Sequence, residues 1–599
     1  MKYSFILILS LFFIKLSAQV IPQNRVVDWT GAGNHFDFSV ITDSISVTDF
    51  GAVGDGITND FNAIDSAINS LNHKPGIVFF PSGTYLINNA LTLPDSIILK
   101  GNGAETTILK FNSGEYNSCI NISGSVSSIF RSVLNGYNKG SEHITLADSL
   151  IFTAGDIAEI IQDGTYQMTS SWAMDCLGQI VKIDSVHGFD IFLSSALRMN
   201  YQDSLSPRIR KITPRQGVGI HCLKVERMDS TGSQTNNILF NYAYNCEIKG
   251  LESYMNNYAH IDINKSTNIT VRNSYIHDAF SYGDGGKGYG VCVDATSGEC
   301  LTANNIFVHL RHSMLLQSGS NGNVFAYNYS KDPYWTDVSL PSNSSGDIVL
   351  HGNYPYANLF EGNICQNIVI DNSHGKNGPY NTYFRNRAEL YGIFMNSAPA
   401  TDSVNFVGNE VTNTTFLMGL YSLQGVGHFQ YGNNIQGMIL PSGTSNLNDT
   451  SYFFQGQPSF WNISQSFPPI GPPNSYNLKI NPAKYRYLHG PVMATCSDTA
   501  TNTAVYQNTP YHKNIFEIVS YSFNSEKNGF DVTISFPKSG KTDIVLFNTL
   551  GMVIGMEEYQ PFSGINKFFI PLKNKVVGSM VYVSFIQSGT IKTLKFIEF

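Results

Sequence analysis

The sequence predicts an all-β chain organised around a parallel β-helix, on two observations: a phrase ending in asparagine returns at a fixed step, and its residues form strands and turns. The phrase reads ITVRN at Ile269–Asn273, LTANN at Leu301–Asn305, VFAYN at Val324–Asn328, LFEGN at Leu359–Asn363, TYFRN at Thr382–Asn386 and NFVGN at Asn405–Asn409. Its asparagines lie 32, 23, 35, 23 and 23 residues apart, a period of 23 with extra segments of 9 and 12. A fixed period of this length marks a solenoid. Mixed β-branched, aromatic and small polar residues, flanked by Gly, Asn and Ser, favour short strands over helices. The rungs of such a coil stack ~4.8 Å apart, so the six asparagines are expected to form one column at a turn.

Composition bounds the rest. At 599 residues, 42% apolar and 14% charged, the chain can bury a large core and hold more than one domain. A net charge of −8 with no basic stripe excludes nucleic acid as the main partner. Residues 1–18 read as an export signal: Lys2, the apolar run Phe5–Ile14, then Ser17-Ala18 before Gln19. That run is too short for a bilayer, which takes about 20 residues, and no later segment qualifies as a membrane span. The mature chain is therefore expected to be secreted or at the cell surface. The eight cysteines match no stapled scaffold or zinc cluster; Cys292 and Cys300 can pair across a rung, or all can be buried small side chains.

A solenoid needs a plug over its first rung. Ile45–Leu109 supplies one, with Asn59 and Asp60 as caps of a helix whose Ile64, Ala67, Ile68 and Leu71 share a face, after a turn at Gly51–Gly56. The stretch DFGAVGDGITND, followed by FFPSGTYLI and LKGNG, resembles the N-terminal signature of the pectate-lyase-like superfamily, with its rhamnogalacturonase and epimerase-like domains. The resemblance implies a right-handed, single-stranded parallel β-helix acting on polysaccharides, although phage tailspikes that only bind or trim glycans share it. The Asn-Thr-Asp, Asp-Asp, Gly-His-Gly and Arg-Ile-Lys motifs of the superfamily's pectin hydrolases are absent from the sequence, so the resemblance assigns no catalytic residue. The expected organisation is a β-helix over 45–490, a small β insertion at about 143–214, a linker over 491–515 and a β-sandwich over 516–599. In the insertion, GQIVKIDSVHGFDIFLSSAL reads as a hairpin, and Trp172 can line a sugar site or pack. The tail resembles the sorting domain of type IX secretion cargo in Val545–Gly551, Gly578–Val583 and Ser588–Lys595, which implies the type IX machinery as a partner. A carbohydrate-binding sandwich is the alternative.

The irregular steps locate the candidate site. Both extra segments, Ala279–Gly290 and about 331–346, leave the coil at one corner and bracket the rung carrying Arg311 and His312. They supply Tyr282, Asp284, Lys287, Tyr289, Tyr334 and Trp335, a fringe suited to gripping a sugar chain. His312 and Asp347 each lie 16 residues before a ladder asparagine, so they are expected side by side, the carboxylate orienting the histidine as acid or base. Asp262 and Asp294, each 11 before theirs, should face outward as a carboxylate pair fit for hydrolysis or for calcium. His351 and His374 share a register and either open onto the site or face the core. Arg385, like Arg387, suits a uronate carboxylate. Two function classes follow: an enzyme (lyase, hydrolase or epimerase) acting on an acidic glycan, with Arg311, His312, Asp347, Asp294 and Asp262 as catalytic candidates and Asp284, Lys287, Tyr289, Trp335, His351, His374 and Arg385 binding substrate; or a surface adhesin that holds a glycan without cutting it.

Overall fold

The computed structural model describes residues 19–497, apart from 150, 165, 284 and 338–342, and the strands within 517–597. The expected export signal and most of the linker lie outside them. Two compact units, 1–500 and 501–599, divide the chain.

The first unit is a right-handed parallel β-helix with three faces. One rung reads Leu301–Ala303, Ile306–Val308 and His312–Leu316, and the next reads Val324–Ala326, Tyr329–Lys331 and Ile348–His351. Equivalent strands pair in parallel: Leu301 with Val324, Ile306 with Tyr329, Met314 with Ile348. On the third face the inward residues Val291, Val293, Met314, Leu316, Ile348, Leu350, Ile368 and Ile370 all enter one fully buried core, because side chains alternate along a strand.

The turn between first and second faces carries the repeated asparagine. Oδ1 of Asn328 accepts from the backbone N and Nδ2 of Asn305, and the same pair of bonds repeats through Asn363, Asn386, Asn409 and Asn433, all at 2.9–3.1 Å. Every member is buried, so each bond satisfies a polar group that water cannot reach. Asn273 is not a member. Ser274 stands opposite Asn305 and donates its backbone N to it at 2.9 Å, while Asn273 lies one residue early and accepts from Asn304 Nδ2 at 2.8 Å. A second ladder, Asn323 to Asn358 to Asn381, holds the turn between the third and first faces.

The helix Phe61–Ser70 packs Ile64, Ala67 and Ile68 onto the core. Asp60 precedes it, but its carboxylate accepts from Val53 and Gly54 N at 2.7 and 3.1 Å and so shapes the glycine turn, while Asn59 Oδ1 accepts from Phe61 N at 3.3 Å. Two outer segments run along the stack. The N-terminal one bonds through Val20 to Asp449, Arg25 to Asn405, Trp29 to Ala357 and His35 to Asn245. The C-terminal one crosses the asparagine turn at Asn481, which donates to Asn328 and Gly362 carbonyls, and at Arg486, which donates to Asn304. It ends in a disulfide from Cys496 to Cys222, Cα atoms 5.5 Å apart. Cys292 and Cys300 are free: Cys300 enters the core, whereas Cys292 faces outward.

The insertion is a seven-stranded antiparallel sheet that begins at Ser125, before the expected 143, and ends at Thr213. It docks on the corner between third and first faces through Arg198, ion-paired to Glu299, and through Asn321 and Tyr356, which donate to Gly178 O at 3.0 and 2.8 Å. The second unit contains a three-stranded and a four-stranded antiparallel sheet. Val532 and Ile534 of one and Ile544 and Phe585 of the other share a core, which makes a sandwich. Among the described residues no helix is long and apolar enough to cross a membrane.

Replacing Asn363 by Ala strips the buried N–H of Asn328 of its acceptor and takes the side-chain donor from the Phe325 carbonyl. The expected cost is about 3 kcal/mol, two unsatisfied buried groups at 1–3 kcal/mol each, read as a lower urea midpoint for the β-helix.

Candidate active site

The two long loops leave the coil between second and third faces, and the insertion docks at the opposite edge of the third face, so a groove runs over that face between them. Its floor is the outward side of Tyr289–Asp294, His312–Leu316, Ile348–His351 and Ile364–Asp371. Small and apolar side chains, Cys292, Leu315, Val349 and Val369, form one outward column. The neighbouring column contains Asp294, Gln317, His351 and Asp371, with Gln317 Nε2 donating to Asp294 Oδ2 at 3.0 Å.

At the middle of the groove six rings and a histidine–carboxylate pair converge. Tyr289 is in register with His312 and its ring stacks on the imidazole, centroids 5.3 Å apart at 20°. His312 lies 5.7 Å from His351, and His351 lies 4.8 Å edge-on from His374. Each wall adds a tryptophan. Trp172 of the insertion meets His374 at 5.9 Å, and Trp335 of the second loop lies 4.5 Å from the Arg311 guanidinium, itself 5.7 Å from Tyr289. His351 Nδ1 bonds Asp371 Oδ2 at 2.6 Å, and Ser373 donates its N and Oγ to the same carboxylate at 2.9 and 2.7 Å. Burial works against the charge of Asp371, yet the His351 and Ser373 bonds hold it well below the usual carboxylate range. An ionised carboxylate only accepts, so Nδ1 of His351 donates its proton in this bond and Nε2 is the ring nitrogen that Asp371 does not engage. Burial, with Arg311 second, pushes His312 down to about 3 and keeps it neutral; burial also lowers His374 and raises Tyr289 to about 12.

Several expectations change here. Asp347 does not face His312. Met314 pairs with Ile348, which puts Gly346 opposite His312, and His312 Nδ1 bonds Gly346 O at 2.9 Å. Asp347 is fully buried and braces the corner, accepting from the backbone N of Gln366 and Asn367 at 3.0 and 2.7 Å. The cause is rung length: Leu316 lies 12 residues before Asn328, but its partner Leu350 lies 13 before Asn363. That one extra residue also turns His351 outward. Arg311 and His312 both approach Tyr289 because Arg311 precedes the strand. Arg385 lies far from the groove floor, fully buried at the turn, where its guanidinium donates to the carbonyls of Leu447, Asp449, Ile470 and Pro472 and anchors the C-terminal segment. Arg387 pairs with Glu410 at 2.7 Å. Lys287 is half-buried in the first loop, and Asp284 lies outside the described residues.

Asp262 and Asp294 do share the outward side of adjacent rungs, but diagonally, since Asp262 pairs with Cys292 and Asp294 with Asn264. Asp262 Oδ2 accepts from Asn236 at 3.0 Å while its buried Oδ1 has no partner. Burial, and after it Asp294, pushes Asp262 up to about 8; burial raises Asp294 as well. Among the described residues no three His, Cys, Asp or Glu side chains cluster to hold a metal ion. Asp371 was missed in the sequence, although IVID repeats the alternation of VCVD at Asp294.

Residues 44–169 match the family model described as rhamnogalacturonase A/epimerase, pectate lyase-like. Among curated proteins, a preneck appendage protein of Bacillus phage PZA is 37% identical over 68 residues, 11% of this chain and 7% of that protein. Mannuronan C5-epimerase AlgE6 of Azotobacter vinelandii is 38% identical over 77 residues, 12% of this chain and 9% of the epimerase. The chain thus spans under a tenth of either relative's length. Among solved structures, the tailspike protein gp49 of Pseudomonas phage LKA1 aligns with a TM-score of 0.49 at 18% identity, covering 62% of this chain and 64% of the tailspike.

The Asp262 shift has a stability signature. Its carboxyl is neutral in the fold up to about pH 8 but ionises near ~4 when unfolded, so its contribution is complete at low pH and is lost as pH rises between those values. Asp262→Asn should leave Tm unchanged near pH 4 and raise it relative to the parent at pH 8; an equal shift at both pH values would mean that Asp262 is ionised in the fold.

Proposed function

We propose that the protein is a secreted enzyme acting on an acidic, uronate-containing polysaccharide in the third-face groove, by abstraction of the proton beside the uronate carboxylate. The observation that carries this reading is the His351–Asp371 pair, its imidazole oriented by the 2.6 Å bond, at the meeting point of both walls. His351 Nε2 takes the C5 proton, the electron pair moves onto the carboxylate, and the Arg311 guanidinium faces the charge that builds up there. Tyr289, kept protonated, hands its proton to the departing O4 in elimination or returns one to C5 in epimerisation. Trp172 and Trp335 hold sugar rings on either side. The match of residues 44–169 to an epimerase-containing family and the short epimerase likeness support a glycan substrate.

A second reading, hydrolysis, rests on Asp262, whose raised pKa suits an acid, beside Asp294. A panel of acidic and neutral polysaccharides separates the readings. Ultraviolet-absorbing unsaturated ends mean elimination, exchange of the C5 proton with solvent without cleavage means epimerisation, and reducing ends without absorbance mean hydrolysis. None of these means the groove only binds, as in an adhesin. On the substrate so found, His351→Ala should reduce kcat by about 10² to 10⁴ with unchanged circular dichroism, and Asp371→Asn should reduce it less; full activity in His351→Ala would shift the assignment to Asp262 and Asp294.

The sandwich from residue 517 is read as a type IX secretion sorting domain behind an N-terminal export signal. Deleting 517–599 should leave a folded β-helix retained in the producing cell, and undiminished export of the truncated chain would remove that role.

A further inference from the structure

The groove wall that the insertion supplies is fastened to one coil residue that takes no part in the chemistry. Asn353 follows His351 by two positions on the same rung and is fully buried. Its side-chain bonds all go to the insertion: Oδ1 accepts from the backbone N of Thr169 and Ser170 at 2.9 and 3.2 Å and from Thr169 Oγ1 at 3.4 Å, and Nδ2 donates to Ser170 Oγ at 3.0 Å. Its backbone is held by the coil, with Asn353 N donating to His374 O at 2.9 Å and Asn353 O accepting from Gly319 N at 2.8 Å. One residue therefore joins the insertion to two rungs of the groove.

Two glycines let the insertion come this close. A Cβ on Gly375 would lie 2.7 Å from Thr169 Cγ2, and one on Gly319 would lie 1.8 Å from Cys176 O. Between these two contacts stands Trp172, in a single 3-10 turn, Ser171–Ala173, that starts from Ser170. Ala173 N donates to Ser170 O at 3.0 Å, but the Ser170 hydroxyl makes no cap on the turn because it is bonded to Asn353. Ser170 is thus tied to the coil on one side and carries the turn of Trp172 on the other. The indole is half-exposed and meets His374 edge-on at 5.9 Å, so its place depends on the backbone that presents it.

We propose that Asn353 is the positioning residue that fixes Trp172 over the groove, which makes the substrate site a composite of coil and insertion. This rests on the saccharide reading of the groove. A ring already held in place loses little freedom when a sugar stacks on it, so the bonds of Asn353 contribute to binding of the glycan and leave proton transfer at His351 unaltered.

Hydrogen exchange and binding on the full chain test this together. Asn353 has a φ of 53°, so Asn353→Gly removes the side chain without backbone strain. The Thr169 and Ser170 amides lose their acceptor in that variant, and residues 168–174 should exchange about tenfold faster, while unchanged exchange over 289–317 reports that the coil folds. In a His351→Ala background, which does not consume the probe, Asn353→Gly and Trp172→Ala should each weaken hexagalacturonate binding about tenfold, and the two together also about tenfold, since both remove the same contact. Unchanged exchange over 168–174 would overturn the positioning role, as would a double variant weakened about a hundredfold. Should Asn353→Gly fail to fold, Ser170→Ala removes only the bond to Nδ2 and is judged by the same two measurements. A His351→Ala chain that does not bind hexagalacturonate would remove the uronate reading of the groove, and the exchange over 168–174 would still decide whether Asn353 holds the turn of Trp172.

Discussion

A parallel coil has to satisfy its backbone at every corner, because strands that pair only with the rungs above and below leave the turns inside the stack with amides and carbonyls that water cannot reach. Asn305, Asn328, Asn363, Asn386, Asn409 and Asn433 meet that demand, each side chain accepting from the previous rung and donating to a carbonyl. The ladder fixes the rung spacing and hence the register of everything attached to it. The groove depends on it: Tyr289, His312, His351 and Asp371 meet only because four consecutive rungs are locked at one height each.

That dependence explains what could be read in the sequence. The ladder was legible because an asparagine is required at one place per turn, and its spacing betrays the coil. The third-face site was legible in position, since both long loops leave at one corner, but not in pairing. Register arithmetic assumes constant rung length, and the single extra residue between Leu350 and Asn363 exchanges Asp347 for Gly346 opposite His312. Arg385 failed for another reason. Its position beside the ladder suits either a uronate or the carbonyls of a distant segment, and nothing local says that residues 447–472 return to that turn.

The groove's electrostatics follow from burial opposed by specific partners. His312 and Asp262 lose charge because little compensates their desolvation, whereas Asp371 keeps its charge because His351 and Ser373 bind it. Neutral and charged groups thus alternate along a short stretch of one face.

The outer segments alter what kind of object the coil is. A stack of rungs that touch only their neighbours unfolds piecemeal, like a column of coins losing its end members. Here Arg25 Nε is bonded to Asn405 Oδ1, and Thr495 N to Asn273 O, so segments near both ends of the described part of the unit each clamp rungs far from them in the chain. No end rung can fray without breaking a contact that spans the column, and the coil cannot close until its last residues have been made. Melting should therefore be a single event, and folding slow, with the stiffness of a rod that has been tied along its length.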